Sequence, residues 1–203
     1  LAFHVSLDQC TGCKACQLAC QDKNDLDATT TWRRVLEYSG GTWIIDKDLY
    51  IPSGNFTYFT PVSCMHCENP PCMEVCPAGA ITKRDSDGVV LINADQCIGC
   101  RYCQWACPYG ALWFKEETGK MAKCDFCVDL LAKGQKPACV DACPYRSLDF
   151  GTLEELQAKY GDLADPAPLP DASMTGPSIV FTPHKDTQPT QAGTGKIINL
   201  EEV

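Results

Sequence analysis

The sequence lacks several features that define common classes of protein. No apolar run in its 203 residues reaches the roughly 18–20 residues of a membrane-spanning helix, and VVLI at 89–92 is only the length of a strand. Basic residues form no stripe and the formal net charge is −9, so nucleic acid is not an expected partner. The first ten residues, LAFHVSLDQC, lack the charged and apolar segments of a secretory signal. We therefore expect a protein with no transmembrane span of its own.

Recognisable catalytic motifs are also missing. The sequence has no phosphate-binding Walker loop, no G-x-G-x-x-G dinucleotide motif and no G-x-S-x-G nucleophile turn. Of the three histidines, His4 and His184 belong to no motif, and His66 is interpreted as a structural or supporting residue between Cys64 and Cys67. These absences favour a protein that transfers electrons rather than one that catalyses a reaction itself.

Cysteine, in contrast, is abundant and regularly spaced. The sixteen cysteines fall into four groups of four, and every group begins with C-x2-C and ends with C-x3-C. Only the middle gap varies, which is the signature of an internal repeat with insertions at one point. Such clusters indicate metal ligation rather than a disulfide framework. The groups are I (Cys10, Cys13, Cys16, Cys20), II (Cys64, Cys67, Cys72, Cys76), III (Cys97, Cys100, Cys103, Cys107) and IV (Cys124, Cys127, Cys139, Cys143).

This spacing predicts [4Fe–4S] clusters. Three closely spaced cysteines wrap one face of a cube, and in two-cluster ferredoxins the fourth cysteine ligates the partner cube. A helix is expected to start near that fourth cysteine. Pro77, Pro108 and Pro144 follow it in groups II to IV, whereas group I has Gln21, so its exit from the loop is expected to differ. Sixteen thiols predict four cubes with none left over.

A zinc site is the alternative for group IV alone, because its long middle gap resembles paired zinc knuckles. Its Cys-Pro ending and its likeness to the other groups favour iron. Cations near the cysteines are read either as groups that raise cluster potentials or as solvated side chains, and both readings stay open; they are Lys14, Arg101, Lys123 and Arg146. The pairs Arg33-Arg34 and Lys83-Arg84 are predicted to be solvated surface.

The linkers predict short strands and one clear helix. A β-hairpin is expected around Gly40-Gly41, followed by a strand over NFTYFTPV. Two further hairpins are expected to turn at Asp87-Gly88 and at Thr118-Gly119. SLDF predicts a short strand, and TLEELQAKYGD predicts a helix capped by Thr152. The Pro- and Gly-rich residues that follow are expected to lie extended across a surface.

The sequence resembles a known family along essentially its whole length. The four-cluster iron–sulfur subunits of molybdopterin oxidoreductases, in the dimethyl sulfoxide reductase branch, have segments similar to CTGCKACQLAC, WRRVLEYSGG, CIGCRYC, ACPYGA, MAKCDFC, SLDFG and GDLADPAPLP. The resemblance implies an α+β fold with two ferredoxin-like double-[4Fe–4S] modules, β-hairpin insertions and an extended C-terminal tail. Some relatives form a three-iron cluster where group III lacks its second cysteine; Cys100 predicts a four-iron cube here.

The resemblance also implies which cysteines share a cube, although spacing alone leaves groups II and III, or III and IV, as equally local pairs. The implied modules are 1–20 plus 108–160, 21–107, and a tail at 161–203 that docks on a partner subunit. The implied ligand sets are Cys10, Cys13, Cys16 and Cys143; Cys124, Cys127, Cys139 and Cys20; Cys64, Cys67, Cys72 and Cys107; and Cys97, Cys100, Cys103 and Cys76.

The implied partners are a large molybdopterin-containing catalytic subunit and a membrane anchor that oxidises menaquinol. The protein would be a non-catalytic electron-transfer subunit, peripheral on the membrane. Co-export with the catalytic subunit implies the periplasmic face, with the cytoplasmic face as the alternative. Three other functions stay open: the equivalent subunit of a polysulfide, thiosulfate, arsenate, selenate or formate enzyme, a free-standing polyferredoxin, and a structural zinc protein.

Overall fold

The fold mixes short helices with small sheets. A computed structural model describes residues 1–202, and no helix within them is both long and apolar enough to cross a membrane. The α-helices are α1 (Ala15–Lys23), α2 (Pro71–Glu74), α3 (Tyr102–Ala106), α4 (Val128–Leu131), α5 (Ala138–Asp141) and α6 (Leu153–Tyr160). The strands are β1 (Ala2–Ser6), β2 (Arg34–Asp46), β3 (Leu49–Val62), β4 (Ile81–Lys83), β5 (Val90–Ile92), β6 (Trp113–Lys115), β7 (Lys120–Ala122), β8 (Leu148–Gly151), β9 (Ile179–Thr182) and β10 (Lys196–Ile197).

The long hairpin β2–β3 turns later than the sequence predicts. The prediction of a turn at Gly40-Gly41 is wrong, because the strands continue in register to Asp46 opposite Leu49. Lys47 and Asp48 form the turn with φ values of 47° and 65°, the left-handed pair that a tight hairpin requires. Gly41 instead lies at a bulge between Gly40 and Thr42, with φ 131°. The predicted strand NFTYFTPV is confirmed as the end of β3.

A three-stranded sheet joins residues near the start of the sequence to residues in its last third. β1 lies in the middle, antiparallel to β8 and parallel to β9. All five residues of β1 are buried, so this first strand is a core strand. α6 packs on the same sheet, and its predicted N-cap is confirmed as a capping box between Thr152 and Glu155.

Two short hairpins frame groups II and III. β4–β5 and β6–β7 each pair three residues with three, and their predicted turn regions are confirmed. Gly88 and Gly119 have positive φ in those turns. The hairpins supply the apolar side chains of a small core in which thiols are members; its buried residues are Cys72, Ala80, Ile81, Val90, Cys97, Cys103, Leu112 and Met121.

The C-terminal tail lies across the protein's own surface. β9 extends the sheet of β1, and β10 extends the hairpin β2–β3. The tail is also held by single hydrogen bonds, such as the one before β9 that Tyr58 Oη donates to the carbonyl of Ala167 at 2.7 Å. Asn199 closes the tail on β2, where its amide group makes hydrogen bonds with the backbone of Val35 and Glu37 at 2.9 and 2.8 Å. The extended conformation matches the expectation, and docking on a partner subunit stays a prediction.

Candidate iron–sulfur centres

All sixteen cysteines are free thiols, and most are shielded from solvent. Eleven are buried, four are half-buried and one, Cys13, is exposed. Free Cys is easily buried as a small apolar group, but sixteen thiols in one small core need a further reason. The backbone conformation around each group points to that reason.

The first loop of every group has the same backbone. In each C-x2-C the second spacer residue adopts a left-handed conformation, with φ of 70° at Gly12, 44° at His66, 69° at Gly99 and 62° at Phe126. Only glycine takes this conformation freely, so His66 and Phe126 carry strain that packing must offset. At Gly99 a β-carbon would also lie 2.2 Å from the carbonyl oxygen of Gly119, so glycine is required there. The repeat found in the sequence is thus a repeat of loop geometry.

The exits from the loops are shared by three groups. The third residue after the last cysteine has left-handed φ in groups II, III and IV, at Gly79, Gly110 and Arg146. In group I the helix α1 simply continues to Lys23, so the expected difference at Gln21 is confirmed. The helix start is a correction: each group's third cysteine already lies in a helix, and the fourth lies just beyond that helix in groups II to IV and inside α1 in group I.

Groups II and III line two enclosed cavities. The first is lined by thiols Cys64, Cys67, Cys72 and Cys107. The second is lined by thiols Cys76, Cys97, Cys100 and Cys103. Each cavity takes three thiols from one group and its fourth from the other. Apolar side chains complete both, and these include Leu112 in the first and Met121 in the second.

Groups I and IV approach each other in the same way. Burial raises the pKa of Cys16 to about 12, and the thiols of Cys139, Cys10 and Cys143 contribute to that rise. Burial likewise raises the pKa of Cys20 to about 12, with contributions from Cys139 and Cys127. Group I therefore lies against group IV although more than a hundred residues separate them in the sequence.

One thiol links the two halves of the molecule. Cys124 is fully enclosed, and burial raises its pKa well above the ordinary value. Its thiol neighbours include Cys20 from group I, Cys64 from group II and Cys139 from its own group. The thiols of all four groups thus form one connected series through the interior.

Several sulfur atoms accept hydrogen bonds from the protein. The backbone N–H of Ala80 donates to Cys76 Sγ at 3.3 Å, and that of Met121 donates to Cys97 Sγ at 3.4 Å. Ser147 Oγ lies 3.2 Å from Cys143 Sγ. Hydrogen bonds to cysteine sulfur are one of the means by which proteins set the potential of an iron–sulfur cluster.

Arg33 corrects the sequence-based expectation of a solvated pair. Its side chain is 1% exposed, and Nη2 donates to Cys139 Sγ at 3.5 Å. Arg34 is half-buried and donates to the carbonyl of Tyr109 at 2.5 Å. Burial was not foreseen because the thiols around Arg33 come from residues far away in the sequence. No local pattern in the sequence marks it.

The other cations divide into one buried side chain and three at the surface. Lys123 is 4% exposed, and its Nζ donates to the carbonyls of Val90 and Cys124. Lys14 pairs with Glu202, Arg101 pairs with Glu116 at 3.2 Å, and Arg146 is exposed. Of the four candidates, Lys123 is the one that the structure places among the thiols.

His66 is a structural residue in this arrangement. It is 1% exposed, its Nδ1 accepts from the backbone N–H of Val90 at 3.0 Å, and its ring meets Phe126 edge-on at 5.3 Å. Burial lowers its pKa well below the usual range, so the ring is neutral. It ties the loop of group II to β5 and to group IV.

The residues present fit [4Fe–4S] clusters. Within residues 1–202 no three His, Cys, Asp or Glu side chains lie close enough to hold a single metal ion. The thiols of groups II and III instead line shared cavities, four to each, and buried thiols with raised pKa values become stable thiolates only when a cation joins them. Arg33 adds an orphaned buried cation that needs negative charge nearby.

Thiol-lined cavities built from a repeated cysteine loop define an iron–sulfur protein. The sequence matches the family described as "4Fe-4S dicluster domain" over residues 55–153. It is 49% identical to the iron–sulfur subunit of the anaerobic dimethyl sulfoxide reductase of Escherichia coli over 201 residues, which cover 99% of this protein and 97% of that one. The protein belongs to this family of iron–sulfur subunits, which confirms the family predicted from the sequence.

More distant relatives share the same kind of subunit. The sequence is 41% identical to the thiosulfate reductase electron transfer subunit of Salmonella typhi, over 72% of this protein and 73% of that one. It is 38% identical to a subunit of the sulfite dehydrogenase of Allochromatium vinosum, over 76% and 70%. The predicted class, a 4Fe-4S electron-transfer subunit of an oxidoreductase complex, is therefore confirmed.

Proposed function

We propose that the protein carries four [4Fe–4S] clusters and conducts electrons along them. The observation that carries this proposal is the pair of cavities in which each group II or III triplet meets the last cysteine of the other group. The proposed ligand sets are Cys10, Cys13, Cys16 and Cys143 (site 1); Cys20, Cys124, Cys127 and Cys139 (site 2); Cys64, Cys67, Cys72 and Cys107 (site 3); and Cys76, Cys97, Cys100 and Cys103 (site 4).

The four sites follow one another through the protein. Cys16 of site 1 neighbours Cys139 of site 2, and Cys124 of site 2 neighbours Cys64 of site 3. Sites 3 and 4 are joined because groups II and III each contribute to both. When bound, the clusters accept and release single electrons; the protein's part is to hold them close together, exclude water and set their potentials.

We propose the same two modules as the sequence implies. Residues 1–20 with 108–160 form the module of sites 1 and 2, and residues 21–107 form the module of sites 3 and 4, although residues 108–122 of the first module pack on sites 3 and 4, where Leu112 and Met121 line the cavities. The sheet β8–β1–β9 supports the first, since it brings the first residues to the segment after group IV. The tail at 161–203 is proposed to present part of its surface to a partner subunit.

Exposed apolar surfaces support assembly with other subunits. The outer half of the hairpin β2–β3 carries large apolar side chains that are 38–70% exposed, namely Trp43, Ile44, Ile45, Leu49, Tyr50 and Ile51. A second patch beside site 4 consists of Ile98, Tyr102 and Trp105, of which Trp105 is 74% exposed. Contiguous apolar patches on a protein surface mark interaction sites.

The partners we propose are those of the family. A molybdopterin-containing subunit would take electrons from site 1, and a menaquinol-oxidising membrane anchor would supply them at site 4. The relatives named for dimethyl sulfoxide reductase support that substrate for the complex, and those named for thiosulfate and sulfite support the alternatives. The proposed location is the periplasmic face of the membrane.

Metal and sulfide analysis tests the cluster count. Protein purified without oxygen should contain about 16 iron and 16 sulfide per molecule, since each of four cubes holds four of each. An iron content near eight, or a substantial zinc content, would refute the four-cluster proposal. Co-purification of the native complex then identifies the substrate, because the large subunit can be assayed with dimethyl sulfoxide, thiosulfate or polysulfide in turn.

A further inference from the structure

Arg33 is buried where few arginines are found. Its side chain is 1% exposed, and its guanidinium carbon lies 4.6 Å from the centre of the Phe3 ring. None of the ion pairs within residues 1–202 includes it. Nε and Nη1 have no hydrogen-bond partner among the described residues, and Nη2 has only the sulfur of Cys139.

Such a cation needs a compensating negative charge. Burial of an unpaired charge costs several kcal/mol or more, and arginine does not escape the cost by losing its proton. Its one hydrogen-bond partner is Cys139 Sγ, and the thiols of Cys16, Cys124 and Cys20 are the others close enough to act on its charge. The negative charge that suits Arg33 is therefore on sulfur.

These four cysteines belong to two of the proposed sites. Cys16 is a ligand of site 1, and the other three are ligands of site 2. Arg33 lies just before β2, in the stretch 21–107 that supplies ligands to sites 3 and 4. Its charge nevertheless lies among the ligands of sites 1 and 2. Its position is fixed by the stacked rings of Phe3 and Phe126, whose centres are 4.1 Å apart.

We propose that Arg33 is a potential-setting residue, whose buried charge is shared by sites 1 and 2 and raises the reduction potentials of both clusters above those they would have without it. Reduction takes a [4Fe–4S] cluster with four thiolates from a charge of about −2 to about −3, so a fixed cation nearby favours the reduced form. The two unpartnered N–H groups would donate to cluster or cysteine sulfur, which acts in the same direction.

The other buried cation does not duplicate this role. Lys123 is near Cys72 of site 3 and spends its hydrogen bonds on the backbone carbonyls of Val90 and Cys124. Arg146 is three residues from Cys143 but is exposed, so water screens its charge. Lys123 and Arg146 therefore serve as comparisons: Lys123 is a buried cation beside site 3, and Arg146 is a solvent-exposed cation beside site 1.

The test is a redox titration of the purified complex, followed by electron paramagnetic resonance, with Arg33→Gln, Arg33→Lys and Arg146→Gln. Arg33→Gln should lower two of the four midpoint potentials, each by roughly the tenfold change in equilibrium that equals about 59 mV for one electron. The same variant should leave the other two potentials unchanged. Arg33→Lys keeps the charge and should stay close to the wild type, and Arg146→Gln should change no potential.

Iron content separates this proposal from the cluster assignment on which it rests. About 16 iron per molecule in the wild type establishes the sites; fewer would refute the proposed function rather than the role of Arg33. Unchanged potentials in a fully loaded Arg33→Gln variant, or shifts confined to sites 3 and 4, would overturn the role. If Arg33→Gln loses iron, the Arg33→Lys variant, which keeps the charge, decides between charge and shape. Loss of iron from Arg33→Lys, or a fall in its two potentials by about the same 59 mV, would show that the shape of the side chain matters rather than its charge, and would overturn the role.

Discussion

The two halves of the molecule each bring two cysteine groups together, but they use stretches of the sequence that differ in length. The II/III half (groups II and III with the hairpins β4–β5 and β6–β7) is made from one continuous stretch, residues 64–122. The I/IV half (groups I and IV with the sheet β8–β1–β9) joins residues near the start to residues near 143 and to the tail. Short local hairpins close the first, whereas the second depends on long-range strand pairing.

This difference extends to charge. Arg33 lies among the thiols of the I/IV half, whereas Lys123, a buried cation near Cys72 of the II/III half, donates to backbone carbonyls. The II/III half instead relies on apolar enclosure and on N–H groups that donate to Cys76 and Cys97. Under the proposal for Arg33, the same cysteine loop would thus have its cluster potential set in two ways, by a buried charge in one half and by N–H groups in the other.

The largest effect on iron content is expected from replacing Cys20 or Cys76, each of which is the fourth ligand of a site formed mainly by another group. Cys20→Ser should disturb only site 2 and Cys76→Ser only site 4, because each removes the ligand that crosses between groups. Iron should fall from about 16 per molecule to between about 12 and 15, with the lower figure for a lost cube and the higher one for a three-iron cluster. Paramagnetic resonance of the reduced proteins should show a different signal altered in each variant.

The wild-type protein, purified and loaded with iron and sulfide in the same way, is the control for both. If the two substitutions altered the same signal, the crossing of ligands within each half would be wrong. If Cys20→Ser altered a signal from sites 3 and 4, the separation into two halves would be wrong.

A substitution that leaves a cavity in one of the two cores should destabilise that half of the molecule more than the other half. Phe181 on β9 is fully buried opposite Val5, and Leu112 is 2% exposed in the II/III core. Phe181→Ala should lower the free energy of unfolding by about 3–5 kcal/mol and Leu112→Ala by about 2–5 kcal/mol. Anaerobic denaturant titration, with cluster signals as the readout, should show sites 1 and 2 lost first in the former and sites 3 and 4 in the latter. Loss in one common order would mean a single cooperative unit.

A smaller effect of pH is expected from His4 in the I/IV half. Burial lowers the pKa of His4 to about 4, although Asp149 opposes the shift. The neutral ring makes a hydrogen bond with Thr182 Oγ1 at 2.9 Å and stacks on Tyr160 at 3.5 Å. Because the unfolded protein takes up the proton near pH 6.5, the free energy of unfolding should decrease by about 1–3 kcal/mol as pH falls from 6.5 towards 4.

Melting temperatures at pH 7 and pH 5.5 measure this effect. His4→Gln should remove that part of the pH dependence while other acid effects on the clusters persist. An identical slope in both proteins would show that His4 does not contribute.

Local signals in the sequence predicted local structure well. The turns at Asp87-Gly88 and Thr118-Gly119 and the cap at Thr152 depend on residues within a few positions of one another. The turn at Lys47-Asp48 was missed because lysine is not a usual left-handed residue and the glycines nearby offered a stronger signal. His66 and Phe126 occupy the position of Gly12 and Gly99 in the repeat, and that alignment was available from sequence.

Features that depend on distant contacts were not predictable from the sequence. β1 was not foreseen, although Phe3, Val5 and Leu7 alternate, because its partners lie beyond residue 147. β9 and β10 sit in a tail whose composition suggests irregular structure. The burial of Arg33 is a property of the assembled thiols and not of its neighbours in sequence.

The central position of β1 also has a consequence for biosynthesis. A ribosome makes this strand long before both of its neighbours, β8 and β9, which belong to the last third of the sequence. At about 5–20 residues per second, roughly 140 residues and about seven to thirty seconds separate β1 from β8. The II/III half ends at residue 122, before β8 is made, so its hairpins can close first, and the nascent β1 must be kept from aggregation until its partners emerge.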